Sequence, residues 1–393
     1  MRYFIEVGHD QLNKKDEELC GDQVEIVRMD NGVIAVMSDG LGSGIKANIL
    51  ATLTAKIAAT MLKNGASLSD VLDTIANTLP ICKVRNIAYS TFTIIYAQYN
   101  GDVYIAEYDN PTVFYYRKKQ KRIIKMIGNE SIINDKKIIE MQCRLEDGDC
   151  IIAASDGVIH AGVGEILNYG WEWNHVAKYL EGTCTNNQNN AMMISKSLMT
   201  TCNDLYNGQP SDDATALVIK MKLPQIINVF TGPPLLREKD KLMVKKFTSS
   251  PGKRIICGGT AANIVSRELQ RELTIDVSTI TEGIPPTSIM QGFALITEGA
   301  ITMKHALSYL KDYLNQPLSR ESINQLKKRN GASMLANKLL NEGTHINFFL
   351  GHSLNSAHKK ADTAYKLGTK FRVVGEIINT LRKLGKIVNI YYY

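Results

Sequence analysis

The sequence predicts an α+β protein: antiparallel sheets covered by helices over residues 1–222, then a smaller α/β domain over residues 223–393. Three observations predict it. Asn100-Gly101 separates two β-rich runs, Thr91 to Tyr99 and Asp102 to Tyr108, and Asp30-Asn31-Gly32 separates two more; both are signals of antiparallel hairpins. Helical patterns come in pairs: Ile45 to Leu62 with a helix begun at Ser69-Asp70, and Trp171 to Leu180 with Ala191 to Tyr206. After Leu223-Pro224 the pattern becomes strands alternating with helices, the mark of an α/β domain.

In order, Tyr3 to Val7 reads as a short strand and Asn13 to Glu18 as a polar loop. Strands follow at Val24–Met29 and Val33–Met37, then a loop with glycines at 40, 42 and 44. The helix after it repeats apolar residues at 45, 49, 53, 57 and 61, one helical face, and ends at Asn64-Gly65, a C-cap signal. The next helix places Val71, Leu72, Ile75 and Leu79 on one face. Val113–Tyr116 and Ile123–Ile127 continue the β pattern, and the basic run Arg117 to Arg122 between them reads as a solvated hairpin tip. Ile138–Cys143 is a further strand, and Asp147-Gly148 turns into the one that ends at Asp156. Thr183 to Asn190 is an asparagine-rich loop, and Ala214 to Met221 closes the domain. In the second domain, Ile226–Phe230 is a strand and Arg237 to Phe247 a helix. Arg254–Cys257, a helix from Ala261 to Leu273 and Thr274–Val277 form a β-loop-α-β unit. A strand at Ile346–Leu350, a helix from Phe371 to Leu384 and a strand at Ile387–Tyr392 follow.

Composition narrows the class. At 393 residues, two domains are expected, and 44% apolar with 22% charged residues is ordinary for a globular chain. The net charge of +7 is not gathered on a basic face, which argues against a nucleic-acid binder. Seven cysteines, an odd number without Cys-x-x-Cys, argue against a disulfide framework or zinc site and fit a reducing cytoplasm. The N-terminus reads without a signal peptide. Ile45 to Leu62 contains Lys46 and Lys56 and is not read as a membrane span. The expectation is a cytoplasmic protein with no nucleic-acid or membrane partner.

The chemistry lies in acidic steps at strand ends. Val33-Ile34-Ala35-Val36-Met37 runs into Ser38-Asp39-Gly40-Leu41-Gly42-Ser43-Gly44, and a helix follows. A glycine loop between strand and helix often cradles a phosphate, but this one has neither the Gly-x-Gly-x-x-Gly spacing nor a Gly-Lys-Ser/Thr ending. The other reading makes Asp39 a metal ligand. The pattern repeats: Ile151-Ile152-Ala153-Ala154 ends in Ser155-Asp156-Gly157, Asp212-Asp213 opens the run from Ala214, and Gly21-Asp22 precedes Val24. Taken singly, each is also an ordinary turn former. Together they place Asp22, Asp39, Asp156 and Asp212 at strand ends, and buried carboxylates gathered in one place repel unless a cation neutralises them. All-oxygen ligands favour hard cations such as Mg²⁺ or Mn²⁺.

The ordered set Gly-Asp, Ser-Asp-Gly-x-Gly-x-Gly, Ser-Asp-Gly and Asp-Asp-x-Thr resembles the metal-dependent (PPM-type) serine/threonine phosphatases, most closely the stage II sporulation protein E phosphatase domain, over roughly residues 1–222. Tyr89-Ser90-Thr91-Phe92-Thr93 and Asp109-Asn110-Pro111 fall where that family has central strands. The resemblance implies a β-sandwich flanked by helices and two Mn²⁺ or Mg²⁺ ions that activate a water against a phosphoserine or phosphothreonine of a signalling protein. It implies Asp39 as the bridging ligand with the backbone carbonyl of Gly40, Asp156 and Asp212 completing the first metal site, and Asp22 contributing to the second. Catalysis would run through Asp39, Asp156 and Asp212 by way of the water they hold. Asp213 is the lesser ligand of its pair. Eukaryotic members follow Asp-Gly with a histidine; here the residue is Leu41, so no general acid is assigned, and no phosphate-clamping arginine is evident.

The second domain is less explicit. Cys257-Gly258-Gly259-Thr260 reads either as an anion-binding turn or as a plain βα turn. His345, His352, His358 and Asp362 fit no helical metal motif and read as surface or capping groups. A small ligand or protein partner is expected there. The alternative for the whole chain is a non-catalytic binding module on a phosphatase-like fold.

Overall fold

The computed structural model describes residues 2–78, 90–133, 136–186, 189–317, 319–351 and 362–393, without the side chains of 76, 320 and 362–370. Leu79, Tyr89, His352, His358 and the side chain of Asp362 lie outside the described residues. The chain divides into two compact units, Met1–Leu223 and Pro224–Tyr393.

The first unit runs β1 (Phe4–Leu12), β2 (Asp22–Arg28), β3 (Gly32–Gly40), α1 (Gly44–Lys63), α2 (Leu68–Thr78), β4 (Ser90–Gln98), β5 (Asp102–Tyr108), β6 (Phe114–Arg117), β7 (Arg122–Lys125), β8 (Asn129–Ile133), β9 (Lys136–Arg144), β10 (Cys150–Ala154), α3 (Asp156–Ile159), α4 (Trp173–Thr185), α5 (Ala191–Leu205) and β11 (Ala214–Lys222). The strands form two antiparallel sheets, ordered β1-β11-β10-β6-β7 and β2-β3-β4-β5-β9-β8. They pack face to face. Val33, Ala35, Met37, Ile95 and Ile105 of one sheet share a core with Ile5, Tyr115, Ile151, Leu217 and Ile219 of the other. The alternate residues of β3, Ile34 and Val36, face outward and are covered by α1 and α2. Being buried on both faces is why β3 reads as an unbroken apolar run. The other sheet is covered by α4 and α5, with Val176, Leu180, Ile194, Leu198 and Met199 against Phe114, Ile152 and Val218. The fold is therefore four layers, helix, sheet, sheet, helix, of α+β class.

Two features depart from the sequence pattern. Helix α1 does not seat its large aliphatic stripe fully: Ile45, Ile49 and Leu53 are exposed, while Gly44, Ala47, Ala51, Thr54, Ala55, Ala58 and Ala59 are buried. The sheet demands small residues there, because a Cβ at position 40 would lie 2.1 Å from the Ala47 carbonyl oxygen. By length and composition α1 could cross a membrane. Its buried alanine face packs on β3 and β2, so it is a core helix of this unit. The second departure is that Asp156 opens a helical turn, α3, where only a turn dipeptide was expected.

Helix α5 lies so close to β1 that a Cβ at Gly8 would fall 2.2 Å from the Met192 amide nitrogen. Neither group can move freely, since Glu6 two residues earlier accepts the Ala191 amide at 3.1 Å. Gly8→Ala is expected to destabilise the chain by about 1–3 kcal/mol through overpacking. A fall in the urea midpoint with unchanged slope checks it.

The second unit contains β12 (Ile226–Thr231), α6 (Asp240–Ser249), β13 (Lys253–Cys257), α7 (Gly259–Leu269), β14 (Thr274–Asp276), β15 (Thr287–Ile289), β16 (Leu295–Thr297), α8 (Ala300–Asn315), α9 (Arg320–Lys327), α10 (Gly331–Asn337), β17 (His345–Leu350), α11 (Asp362–Lys383) and β18 (Ile387–Tyr392). Its sheet is ordered β14-β15-β16-β13-β12-β17-β18. The five strands β16, β13, β12, β17 and β18 are parallel, in the third-second-first-fourth-fifth order of a doubly wound α/β sheet. The β-loop-α-β unit read from Arg254 to Val277 is corrected here. β14 does not return beside β13; it sits antiparallel at the far edge, and the true crossover partner of β13 is β16. β14, β15 and β16 are only three residues each, too short for a periodic signal.

Candidate metal centre

The acidic positions sit where strands end at one end of the first unit's sandwich. Asp22 opens β2 and Asp39 is the penultimate residue of β3, and the antiparallel register sets them directly opposite each other. On the other sheet, Ala154 pairs with Ala216, so β10 runs into Asp156 just where β11 begins after Asp212-Asp213. Two hydrogen bonds lock that junction: the Ser155 amide donates to the Thr215 carbonyl at 3.0 Å, and the Thr215 amide donates to Ser155 Oγ at 2.9 Å. The Ser-Asp-Gly and Asp-Asp-x-Thr motifs thus close on each other through their hydroxyl residues.

The two sheet ends bring their charges together. Burial pushes the Asp39 carboxyl well above the ordinary range, and Asp22, Asp156 and Asp212 raise it further by like-charge repulsion. Asp22 is raised too, by burial first and by Asp213 and Asp156 after it, against an opposing influence of the nearby Thr215 and Ser155 hydroxyls. Asp212 is raised by burial and by Asp156. The structure therefore gathers Asp22, Asp39, Asp156 and Asp212 into one electrostatic cluster, with Asp213 at its side.

Asp22 is the most telling of them. It is 1% exposed, and neither of its carboxylate oxygens has a hydrogen-bond partner among the described residues. Asp213 Oδ2 is likewise buried and unpartnered, and so is the Thr215 hydroxyl. The Thr215 and Ser155 hydroxyls influence Asp22 electrostatically but fall short of hydrogen-bond geometry. A buried charge without partners is costly. A hard divalent cation would answer it with the oxygen donors that these residues supply. No three His, Cys, Asp or Glu side chains among the described residues already close on one point at ligand distance. Cations of this kind keep several waters and need only one or two direct carboxylates. The residues fit such an ion.

Gly40 is tied into the same corner. The Ser90 hydroxyl donates to the Asp39 carbonyl at 2.9 Å, and position 40 tolerates no side chain against α1. Its small size is thus explained by helix packing.

Several supporting groups carried no assigned role in the sequence. Asp213 Oδ1 accepts the Lys14 amide at 2.9 Å, the Lys15 amide donates to the Pro210 carbonyl, and Ser43 Oγ donates to Glu17. The loop before β2 is thereby fastened both to the Asp212-Asp213 corner and to the start of α1. Lys14 also draws the Asp212 carboxyl downward, against the larger effect of burial. Asn110 Oδ1 accepts from the Thr91 hydroxyl and its Nδ2 donates to Thr93 Oγ1, bracing the strand opposite Asp39. The polar residues before an apolar strand were the available signal, but their partners lie about 200 residues away in the chain for Lys14 and Asp213.

Residues 29–222 match the family model of stage II sporulation protein E (SpoIIE). They belong to that family. The first unit accordingly carries a PP2C-type phosphatase fold. Asp39, Gly40, Asp156 and Asp212 lie within the SpoIIE-matched segment, and Asp22 lies just before it. Among solved structures, the chain is similar to the PP2C phosphatase domain with a fragment of the regulatory domain of SpoIIE from Bacillus subtilis. The identity is 20% and the TM-score 0.48, covering 56% of this chain and 65% of that one. It is also similar to the RsbU and RsbW domains of a Mycobacterium tuberculosis protein, at 14% identity and TM-score 0.47, covering 63% of this chain and 68% of that one. A third is RsbX in complex with magnesium, at 18% identity and TM-score 0.41, covering 56% of this chain and 96% of that one. No curated protein matches the chain in sequence.

Proposed function

We propose that this chain is a Mn²⁺- or Mg²⁺-dependent protein phosphatase that hydrolyses phosphoserine or phosphothreonine on a cytoplasmic signalling protein. The observation that carries the reading is Asp22, buried and unpartnered, directly across from Asp39 and within charge range of Asp156 and Asp213. SpoIIE-family membership of residues 29–222 supports the reaction class.

Asp39, Asp156 and Asp212, with the Gly40 carbonyl, would hold one ion, and Asp22 with Asp39 a second. Bound there, the two ions supply Lewis-acid activation of water and charge neutralisation on the phosphoryl group. The protein's part is to fix the carboxylates. β3 and β2 set Asp39 against Asp22, and the Ser155–Thr215 lock sets Asp156 against Asp212. Thr215 and Ser155 favour the ionised form of Asp22, which a ligand must have. The second unit, with its doubly wound sheet, is the place for a small ligand or protein partner that regulates the first.

The test uses the full chain. Hydrolysis of para-nitrophenyl phosphate and of a phosphoserine peptide is measured with Mn²⁺ and with EDTA. Turnover that appears with Mn²⁺ and vanishes with EDTA is expected. No turnover on either substrate, together with no Mn²⁺ binding by calorimetry, would overturn the proposal and leave a binding module on a phosphatase fold.

A further inference from the structure

Helix α3 is a single turn, and Asp156 is its first residue. So short a helix leaves its carbonyls in need of partners. The His160 amide donates back to the Asp156 carbonyl and the Ala161 amide to the Val158 carbonyl. The Gly157 carbonyl between them is taken by a side chain from another element: Tyr206 Oη donates to it at 2.6 Å. Tyr206 is the C-cap of α5 and is 1% exposed, its ring packed in the core that α4 and α5 form against the sheet. A buried phenol needs a hydrogen-bond partner. Here the partner is the peptide beside an acidic residue of the metal centre.

Tyr206 also starts the path to the other acidic corner. The backbone reverses after it, with φ of 52° at Asn207 and 73° at Gly208. The Gly208 amide donates to the Asn203 carbonyl at 2.8 Å and the Gln209 amide to the Tyr206 carbonyl at 2.9 Å. Pro210 is buried, and Asp212 follows two residues on. The Ser211 hydroxyl, immediately before Asp212, acts on the phenol oxygen. Across the corner, Gly157 is pressed against the Asp213 backbone, where a Cβ would lie 2.0 Å from the carbonyl oxygen. Burial holds the phenol far above its ordinary range, and Cys202, Asp212 and Asp156 push it the same way. The hydroxyl therefore stays a neutral donor within charge range of both carboxylates.

We propose that Tyr206 is a positioning residue of the metal centre, whose hydroxyl ties the turn bearing Asp156 to the loop bearing Asp212 so that both can hold one cation. The inference rests on the reading of these carboxylates as metal ligands. The Ser155–Thr215 lock joins the strands themselves, β10 to β11. The phenol joins what lies beyond them, the turn after β10 and the loop before β11. A hydrogen bond of this kind does not touch the ion; it fixes where the ligand stands. Phenylalanine at this position keeps the ring in the core and removes only the bond. The Asp156 turn then gains freedom relative to the Asp212 loop, and ion binding has to order it, which weakens affinity.

Calorimetric titration of the full chain with Mn²⁺ tests this. Tyr206→Phe is expected to raise the Mn²⁺ Kd by ~10–100-fold, the usual effect of losing such a support. Turnover of para-nitrophenyl phosphate is expected to recover toward the wild-type kcat at saturating Mn²⁺, since no reacting group is removed. Tyr179→Phe is the control. Tyr179 Oη donates to the Ser197 carbonyl at 3.0 Å, the same kind of bond, but it joins α4 to α5. Its loss is expected to lower the Tm in EDTA and leave the Kd unchanged. If Tyr206→Phe does not fold, Ser211→Ala, at an exposed position, decides in its place, with a raised Kd expected and an unchanged one overturning the proposal. A folded Tyr206→Phe protein that binds Mn²⁺ as the wild type does would overturn it and leave Tyr206 a core residue only. So would a Kd that rises equally in Tyr179→Phe, which would mean a general softening of α5. A wild type that binds no Mn²⁺ would remove the metal centre itself and this role with it, whereas wild-type binding with an unmoved variant removes the role of Tyr206 alone.

Discussion

Asp39→Asn is expected to lower Mn²⁺-dependent turnover by ~10³-fold or more, about 4 kcal/mol of lost barrier reduction. Asn preserves the shape and one oxygen but removes the charge that a cation needs, at the position where repulsion from Asp22, Asp156 and Asp212 converges. Loss of kcat together with weaker Mn²⁺ binding separates this from misfolding. Misfolding is not expected, because the substitution relieves a buried charge that is unfavourable in the metal-free chain. Asp102→Asn is the control. Asp102 makes an exposed ion pair with Arg144 at 3.2 Å, worth at most ~1 kcal/mol, and its loss is expected to leave turnover unchanged. An Asp39→Asn protein that kept full metal-dependent activity would remove Asp39 from the centre.

The acidic motifs were legible because each closes or opens an apolar strand pattern. An apolar run stopping at an acidic residue and a glycine is visible without knowing what lies across from it. The hairpins at Asn31-Gly32 and Asn100-Gly101 were legible for the same local reason, and the structure pairs β2 with β3 and β4 with β5 there. What local pattern does not carry is which face a helix turns inward. The 45, 49, 53 stripe of α1 is the more apolar one, yet the alanine face is buried, since a tight approach to β3 excludes large side chains. The clamps around Asp213 were hidden for a related reason: Lys14 and Asp213 touch only because β1 and β11 are neighbours, a fact of topology. In the second unit, strands of three residues gave no periodicity, so β14 was placed beside the wrong partner.

Without metal, the carboxylate cluster should act against stability, and the pH dependence gives the sign. Asp22 is raised from 3.8 to about 7, mainly by burial. A carboxyl whose folded value lies above its unfolded one favours the folded state fully below the unfolded value. That contribution is lost as pH rises through the folded value. The metal-free chain should therefore lose the Asp22 contribution between about pH 4 and pH 8, and Asp39, raised in the same direction, adds to the loss. Asp22→Asn removes the titrating group. In EDTA at pH 8 it is expected to be more stable than the wild type by roughly 1–3 kcal/mol, the amide still having buried polar atoms to satisfy. At pH 4 the difference should shrink toward zero. With saturating Mn²⁺ the order should reverse, because cation binding stabilises only the chain that holds the ion well. Thermal melts of both proteins at the two pH values, with EDTA and with Mn²⁺, read all of this. A wild type more stable than Asp22→Asn in EDTA at pH 8 would mean that Asp22 has structural partners and is not waiting for a cation. A residue that weakens the empty protein and strengthens the loaded one is better explained by binding than by folding.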